Sequence, residues 1–143
     1  MFKYLFIKTR IYNKCRKPGL KIKKTIMNII SKEFHFSASH QLHGLRDGHP
    51  CGRLHGHNYI VKVYLKGDPD NHGFVQDYGE LKPISDWIDS NMDHKHLNDV
   101  FPFQPSVENM SKYLFNLWKK EFPLLHAIEM SETTKTNCRY EES

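Results

Sequence analysis

Two histidines one residue apart form the clearest chemical pattern in this 143-residue sequence. His55 and His57 flank Gly56, and residues two apart in a β-strand project from the same face about 6.6 Å apart along the chain. Two imidazoles so placed can converge on one ion. Zinc with three protein ligands and a free fourth position is the catalytic form of a zinc site. We therefore predict a zinc site, with His40 at the end of the preceding predicted strand as the best-placed third ligand.

The remaining histidines carry a weaker signal. The chain contains ten histidines, and a single histidine is more often a surface or core residue than a ligand. We take that view of five of them, namely His35, His43, His49, His72 and His126. The histidine pair is more persuasive because Gly56 allows another backbone or a ligand to come close.

Cys51 is the second residue with chemical potential. It lies four residues before His55, between Pro50 and Gly52 and next to Arg53. Positive neighbours favour the thiolate, so this cysteine can act as a nucleophile or a base. Alternatively, Cys51 is a fourth zinc ligand, which would close the site and make it structural. On spacing alone, the reactive role and the ligand role are nearly equally favoured. Cys138 lacks such a setting, and we expect it to be a buried strand residue.

Further along the chain, Asp93 and His94 are adjacent at the end of a predicted helix. A carboxylate that orients an imidazole is a typical general acid or base, but adjacent residues on a helix do not face each other. The pair can work only if the helix has already ended; otherwise these residues are a polar helix terminus. Glu132 follows a predicted strand, where it is either solvated or able to accept two hydrogen bonds from an amidine-like group.

Hydrophobic periodicity predicts the elements that position these side chains. Polar and apolar residues alternate in the strand segments, and apolar residues recur at three- and four-residue spacings in the helical ones. Pro83 belongs in a first helical turn, and Ser106 is a predicted N-cap. The order is strand, strand, helix, helix, strand, strand, with segments at 28–41, 55–65, 81–92, 106–122, 124–132 and 137–140.

Charge is distributed unevenly. Residues 1–27 hold nine basic and no acidic residues, which leaves 12 basic and 16 acidic residues in the rest of the chain. The basic character therefore belongs to this N-terminal extension, and we expect no nucleic-acid binding by the domain at 28–143. The extension is either a targeting segment or sequence upstream of a native start at Met27, and we favour the latter.

Other functional classes are excluded by composition. No stretch approaches the roughly 18 apolar residues of a membrane-spanning helix. The three cysteines are an odd number without a CxxC spacing, which suits a reducing compartment, and we expect a cytoplasmic protein with no membrane partner.

Several motifs, in order and correctly spaced, resemble the 6-pyruvoyl-tetrahydropterin synthase family. The resemblance runs from about Asn28 to Tyr140 and leaves out the first 27 residues. Its strongest part is the run from Cys51 to Tyr59, CGRLHGHNY. The other matching segments are Phe36–His40, Asp93–His94, Pro105–Asn109 and Ser131–Thr133.

The resemblance implies an α+β tunnelling fold, in which a four-stranded antiparallel sheet with two helices assembles into a β-barrel, usually as a homohexamer made of two trimers. The implied substrate is 7,8-dihydroneopterin triphosphate, bound at a subunit interface. The resemblance selects His40 over His43 and His49 as the third zinc ligand and implies that Cys51 is the proton-abstracting base.

By the same resemblance, Asp93 and His94 act in proton transfer, and Glu132 anchors the pterin and joins the proton-transfer set. The three-residue gap between Cys51 and His55 is similar to that of the 6-carboxy-tetrahydropterin synthases of queuosine precursor synthesis. Three alternatives remain: a pyruvoyl-tetrahydropterin synthase, a zinc hydratase or hydrolase, and a non-enzymatic module with a structural zinc site.

Overall fold

The structure is a computed structural model that describes residues 27–141. The predicted N-terminal extension lies outside the described residues, apart from Met27. The strands are β1 (Asn28–His40), β2 (His55–Gly67), β3 (Leu125–Thr133) and β4 (Thr136–Glu141). The helices are α1 (Lys82–Asn91), the single turn α2 (Leu97–Val100) and α3 (Val107–Trp118).

The four strands form one antiparallel sheet in the order β1-β2-β3-β4. This confirms the predicted succession of strands and helices, to which the structure adds the short helix α2. The register of β1 and β2 pairs His40 with His55 and Phe36 with Tyr59. The end of β1 therefore lies directly beside the start of β2, which is where the histidines occur.

The helices cover one face of the sheet, as the strand alternation predicts. Phe34, Phe36 and Ala38 point into this core, whereas Glu33 and His35 remain exposed on the other face. From the helices, the core receives Ile84 and Ile88 of α1 and Met110, Leu114 and Trp118 of α3. Burial of these apolar side chains is the main force that holds the helices on the sheet.

The helix boundaries follow from local chemistry. Pro83 lies in the first turn of α1, where its missing N–H costs nothing. Ser106 caps α3 through its hydroxyl, which accepts a hydrogen bond from the backbone N–H of Asn109 at 3.4 Å. Both features agree with the sequence-based expectation.

The sheet face opposite the helices is polar. Lys62 forms an ion pair with Glu33 at 2.8 Å, and the Tyr64 hydroxyl donates to Glu129 at 3.1 Å. The guanidinium of Arg139 lies 4.2 Å from the centre of the Tyr64 ring. The two faces of the sheet therefore differ in chemistry, and the histidines of the predicted site lie on the helix-covered face.

None of the helices within residues 27–141 combines the length and the apolar character needed to cross a membrane.

Candidate functional site

Three histidines converge at the paired ends of β1 and β2. The ligand atoms of His40, His55 and His57 lie within 4.8 Å of one another. The ring centres of His40 and His55 are 4.5 Å apart, and those of His55 and His57 are 4.9 Å apart. The strand register brings His40 to His55, and the period of two in β2 brings His57 to the same face.

Backbone carbonyls decide which nitrogen of two of these rings faces the centre of the triad. The Nδ1 atom of His40 donates to the carbonyl of Pro105 at 2.9 Å, and Nδ1 of His55 donates to the carbonyl of Arg53 at 2.7 Å. Because a carbonyl oxygen only accepts, each Nδ1 carries a proton, and the neutral form of each ring has its lone pair on the inward-facing Nε2. Such hydrogen bonds typically orient histidines that bind metals.

The two inward-facing Nε2 atoms, those of His40 and His55, are 3.0 Å apart. Two lone pairs at this distance repel unless a proton or a cation lies between them. A zinc ion with bonds of about 2.0–2.1 Å to nitrogen separates tetrahedral ligand nitrogens by about 3.3 Å. A cation therefore fits between these atoms with a small expansion of the pair.

His57 supplies the third ligand atom. Its Nε2 is buried and has no hydrogen-bond partner among the described residues. Burial lowers the pKa of His57, with smaller effects from Glu132, which raises it, and from His40 and His55. The ring is therefore held in the neutral form that binds metals. The donor set, its tautomers and this orphaned atom fit a metal ion held by the three histidines.

Glu132 and Tyr59 complete the immediate surroundings. A carboxylate oxygen of Glu132 lies 3.6 Å from Nε2 of His40, and the side chain is one-quarter exposed. Tyr59 is fully buried between the histidines and Phe36, and its hydroxyl has no partner among the described residues. Burial and the nearby Glu132 carboxylate raise the pKa of Tyr59, which keeps the phenol protonated. A carboxylate therefore lies beside the triad; the role that the resemblance implies for Glu132 stays a prediction.

Cys51 lies in a short 3-10 turn, Pro50–Gly52, in the connection between β1 and β2. Its backbone N–H donates to His49 Nδ1 at 3.1 Å, and its carbonyl accepts from Leu42 N–H at 2.9 Å. The thiol is free and half-buried. These backbone bonds tie the turn to the residues just after His40, so that Cys51 is anchored at the same end of the sheet as the triad.

Asp93 and His94 lie beyond the end of α1 at Asn91. The sequence analysis required this, because adjacent residues within a helix do not face each other. The His94 backbone has a φ of 56°, the left-handed region that histidine adopts more readily than most residues. His94 Nδ1 lies 2.7 Å from Oδ2 of Asp93, and Oδ1 accepts from the backbone N–H of Ser37 at 2.9 Å. The carboxylate thus orients an imidazole that is largely exposed.

We expect Asp93→Asn to lose more stability at neutral pH than at pH 2.5. The hydrogen bond from Ser37 and then that from His94 lower the pKa of Asp93. A carboxyl with a lowered folded-state pKa stabilises the fold above its unfolded pKa, about 3.9, and this contribution disappears as the pH falls through the folded value. Urea unfolding at pH 7 and at pH 2.5 measures the difference. Asp89→Asn, at an exposed position of α1, is the control and should change neither value; an equal loss at both pH values would contradict the assignment.

A cleft of about 510 Å³ lies along the edge of β1, between the end of the sheet and the segment from His94 to His96. Its lining includes Ser37, Asn58 and His57. The structure brings Glu132 to the histidine triad, but among residues 27–141 no hydrogen bond or ion pair joins Cys51 or the Asp93–His94 pair to it. These groups are therefore not joined by hydrogen bonds within the described residues, although His57 of the triad and His94 line the same cleft.

Sequence reasoning missed the groups that orient the predicted residues. The Pro105 carbonyl fixes His40 from 65 positions away, and the Ser37 amide fixes Asp93 from 56 positions away. Backbone groups leave no signal in residue type, so only their sequence neighbours are visible. The orphaned hydroxyl of Tyr59 was missed because an alternating strand position predicts burial and says nothing about hydrogen bonds.

Comparisons with known proteins agree with this architecture. The sequence model of the family described as 6-pyruvoyl tetrahydropterin synthase matches residues 29–143. A 6-carboxy-5,6,7,8-tetrahydropterin synthase from Synechocystis is 36% identical over 122 residues, which cover 80% of this chain and 93% of that protein. A putative 6-pyruvoyl tetrahydrobiopterin synthase from Caenorhabditis elegans is 33% identical, with 73% and 88% covered.

A solved structure supports the same relationship at the level of the fold. The 6-pyruvoyl tetrahydropterin synthase of Caenorhabditis elegans superposes with a TM-score of 0.73 at 29% identity, and the match covers 82% of this chain and 97% of that one. The resemblance read from the sequence motifs and the four-stranded antiparallel fold are therefore both confirmed. This chain belongs to the 6-pyruvoyl tetrahydropterin synthase family.

Proposed function

We propose that this protein is a zinc-dependent 6-carboxy-5,6,7,8-tetrahydropterin synthase that acts in queuosine precursor synthesis. The reaction is that of a lyase: 7,8-dihydroneopterin triphosphate and water give 6-carboxy-5,6,7,8-tetrahydropterin, acetaldehyde and triphosphate. The observation that carries the proposal is the triad of His40, His55 and His57, with lone pairs turned inward beside Glu132, in a chain of this family.

His40, His55 and His57 would hold the zinc ion through their Nε2 atoms. When bound, the ion supplies a Lewis acid that polarises oxygen atoms of the substrate side chain and so acidifies the adjacent carbon. Three protein ligands leave the fourth position open for that purpose. The hydrogen bonds to the Pro105 and Arg53 carbonyls hold two of the rings in the required tautomer and orientation.

Three side chains of the protein carry out proton transfer and pterin binding in this proposal. The thiolate of Cys51 takes the side-chain proton, and its half-buried position gives it access to a substrate while its turn stays anchored. His94, oriented through Nδ1 by Asp93, returns a proton from Nε2. Glu132 accepts two hydrogen bonds from the guanidine-like edge of the pterin, which fixes the substrate against the triad, and it joins the proton transfers.

Assembly into a barrel, as a homohexamer of two trimers, would complete this site. The polar sheet face opposite the helices and the outer strands β1 and β4 support such an assembly, because an outer strand presents unpaired backbone groups that another copy can use. Residues from neighbouring copies would then meet around one substrate.

The choice of the carboxy product rests on the three-residue gap between Cys51 and His55 and on the Synechocystis relative. A 6-pyruvoyl tetrahydropterin synthase, which eliminates triphosphate without cleaving a carbon–carbon bond, is the second candidate. The relative from Caenorhabditis elegans favours it, because its identity to this chain is only slightly lower.

Mass spectrometry of the products decides between these two reactions. The purified protein, loaded with zinc and given 7,8-dihydroneopterin triphosphate, is expected to release acetaldehyde and a carboxy-pterin in equal amounts. The control is the same mixture without protein, which should contain neither product. A pyruvoyl-pterin without acetaldehyde would establish the second candidate instead.

A further inference from the structure

Tyr59 is the buried polar group that the proposed mechanism leaves without a role. Its ring stacks on Phe36 with 4.8 Å between centres and an 8° angle between planes. It meets the edge of His57 at 5.5 Å and that of His40 at 6.0 Å. Tyr59 is completely buried, and no hydrogen-bond partner for its hydroxyl occurs within the described part of the chain. A phenylalanine would make the same ring contacts without the cost of an unpaired donor.

Glu132 is the acceptor that the strand register places next to this donor. The β2–β3 pairing matches Val61 with Met130 and Ile60 with Ser131. The ladder ends at that pair; continued by one residue, the same register would set Tyr59 opposite Glu132 on the helix-covered face, and the Glu132 carboxylate is close enough to raise the pKa of Tyr59. Side chains directly opposite in antiparallel strands have Cβ atoms about 4.5–5.5 Å apart. The two side chains are therefore neighbours, although their polar atoms do not form a hydrogen bond in this structure.

Glu132 itself makes no hydrogen bond to residues 27–141 in this structure. Its nearest polar neighbour is Nε2 of His40 at 3.6 Å. That nitrogen carries the lone pair that faces the triad, because Nδ1 donates to Pro105. A carboxylate and a lone pair at this distance repel each other, and a cation bound at Nε2 would remove that repulsion and let Glu132 settle against the triad. The hydroxyl of Tyr59 is then the neighbouring donor that can bond to the carboxylate.

We propose that Tyr59 is a positioning residue, whose hydroxyl donates a hydrogen bond to Glu132 in the metal-loaded protein and fixes the direction in which the carboxylate receives a pterin. A carboxylate has about four acceptor sites on its two oxygens. One bond from Tyr59 therefore leaves both oxygens able to accept from the guanidine-like edge of the ligand. The melting readout rests on the zinc site of the proposed function, and the binding readout rests also on its pterin substrate.

The first test compares the melting temperatures of Tyr59→Phe and wild type with and without zinc. Without metal, the variant should melt at or above the wild-type temperature, because it loses a buried donor that has no partner. With zinc bound, it should melt about 4 °C below the zinc-loaded wild type, since a formed hydrogen bond is then missing. An equal difference in both states overturns the inference.

Tyr64→Phe is the matched control. Tyr64 is on the same strand, and its hydroxyl also donates to a carboxylate of β3, that of Glu129, but on the opposite face of the sheet. Its loss should lower the melting temperature equally with and without zinc. A dependence of this control on zinc would show that the melting comparison does not report on the site and would overturn the assignment.

The second test measures binding of neopterin to the zinc-loaded proteins by fluorescence. Tyr59→Phe should weaken binding about tenfold, the effect of one hydrogen bond to a charged group, while the zinc content stays unchanged. In a Glu132→Ala background, which removes the acceptor, the same substitution should cause no further loss, because Tyr59 acts through Glu132. A tenfold loss that persists in this background overturns the inference.

The two tests separate the inference from the proposed function. If the melting difference appears but even the wild type fails to bind neopterin, the contact between Tyr59 and Glu132 stands and the pterin function fails. If the wild type binds neopterin and Tyr59→Phe matches it in both tests, the function stands and the inference fails.

Discussion

Cys51→Ala is expected to fold, to keep its zinc and to lose about 10²–10⁴-fold of its rate of pterin conversion, the usual contribution of a positioned base. The loss should appear mainly in kcat, because the thiol acts on the proton that moves and is not proposed to hold the pterin. The measurement combines steady-state kinetics with the metal content of the purified protein. Folding should survive because the turn is held by backbone hydrogen bonds, which alanine retains.

Cys138→Ala is the matched control. Cys138 is a half-buried thiol on β4, and burial raises its pKa, so that it remains protonated and unreactive. This variant should keep full activity. Full activity in Cys51→Ala would instead favour a zinc hydratase or hydrolase that uses metal-activated water. Loss of zinc and folding together in Cys51→Ala would indicate a structural site with Cys51 as the fourth ligand.

The second large effect is expected from His55→Ala, which should abolish the stabilisation of the protein by zinc. At a zinc concentration 100 times the dissociation constant, that stabilisation is about 2.7 kcal/mol in the wild type. The metal-free variant should be at least as stable as the metal-free wild type, because the 3.0 Å contact between the Nε2 atoms of His40 and His55 disappears. Thermal unfolding with and without zinc measures both effects.

His43→Ala is the control for the metal site. His43 follows β1 closely but is exposed, and the hydrogen bonds of this residue to Gln104 come from its backbone. This variant should keep the full response to zinc. A lost response in His43→Ala together with a normal one in His55→Ala would contradict the triad and move the ligand set into the connecting loop.

The proposed site combines a prearranged metal-binding part with catalytic groups that are anchored on other segments of the chain. The triad is held by strand register and by two backbone carbonyls, so a metal needs little rearrangement to bind. Cys51 and the Asp93–His94 pair are each anchored to their own segment of backbone. This division fits the proposed assembly, in which separate copies contribute different groups to one substrate.

Local patterns in the sequence predicted the elements well. The alternation of polar and apolar residues predicted the strands and the faces that they bury. Pro83 and Ser106 indicated where two helices begin. These predictions succeed because burial and capping depend on residues a few positions apart. The helix α2 was not predicted, since a single turn of four residues carries no measurable periodicity.

The residue types of the site are visible in the amino-acid sequence: a histidine pair with strand spacing, a cysteine before it, an Asp–His pair and a late glutamate. Their spatial relations are visible only in the fold. The fold places His40 against His55, turns two imidazoles inward through the carbonyls of Pro105 and Arg53, and sets Glu132 beside the triad. Local spacing does not encode these relations, because strand register and backbone hydrogen bonds join positions that are far apart in sequence.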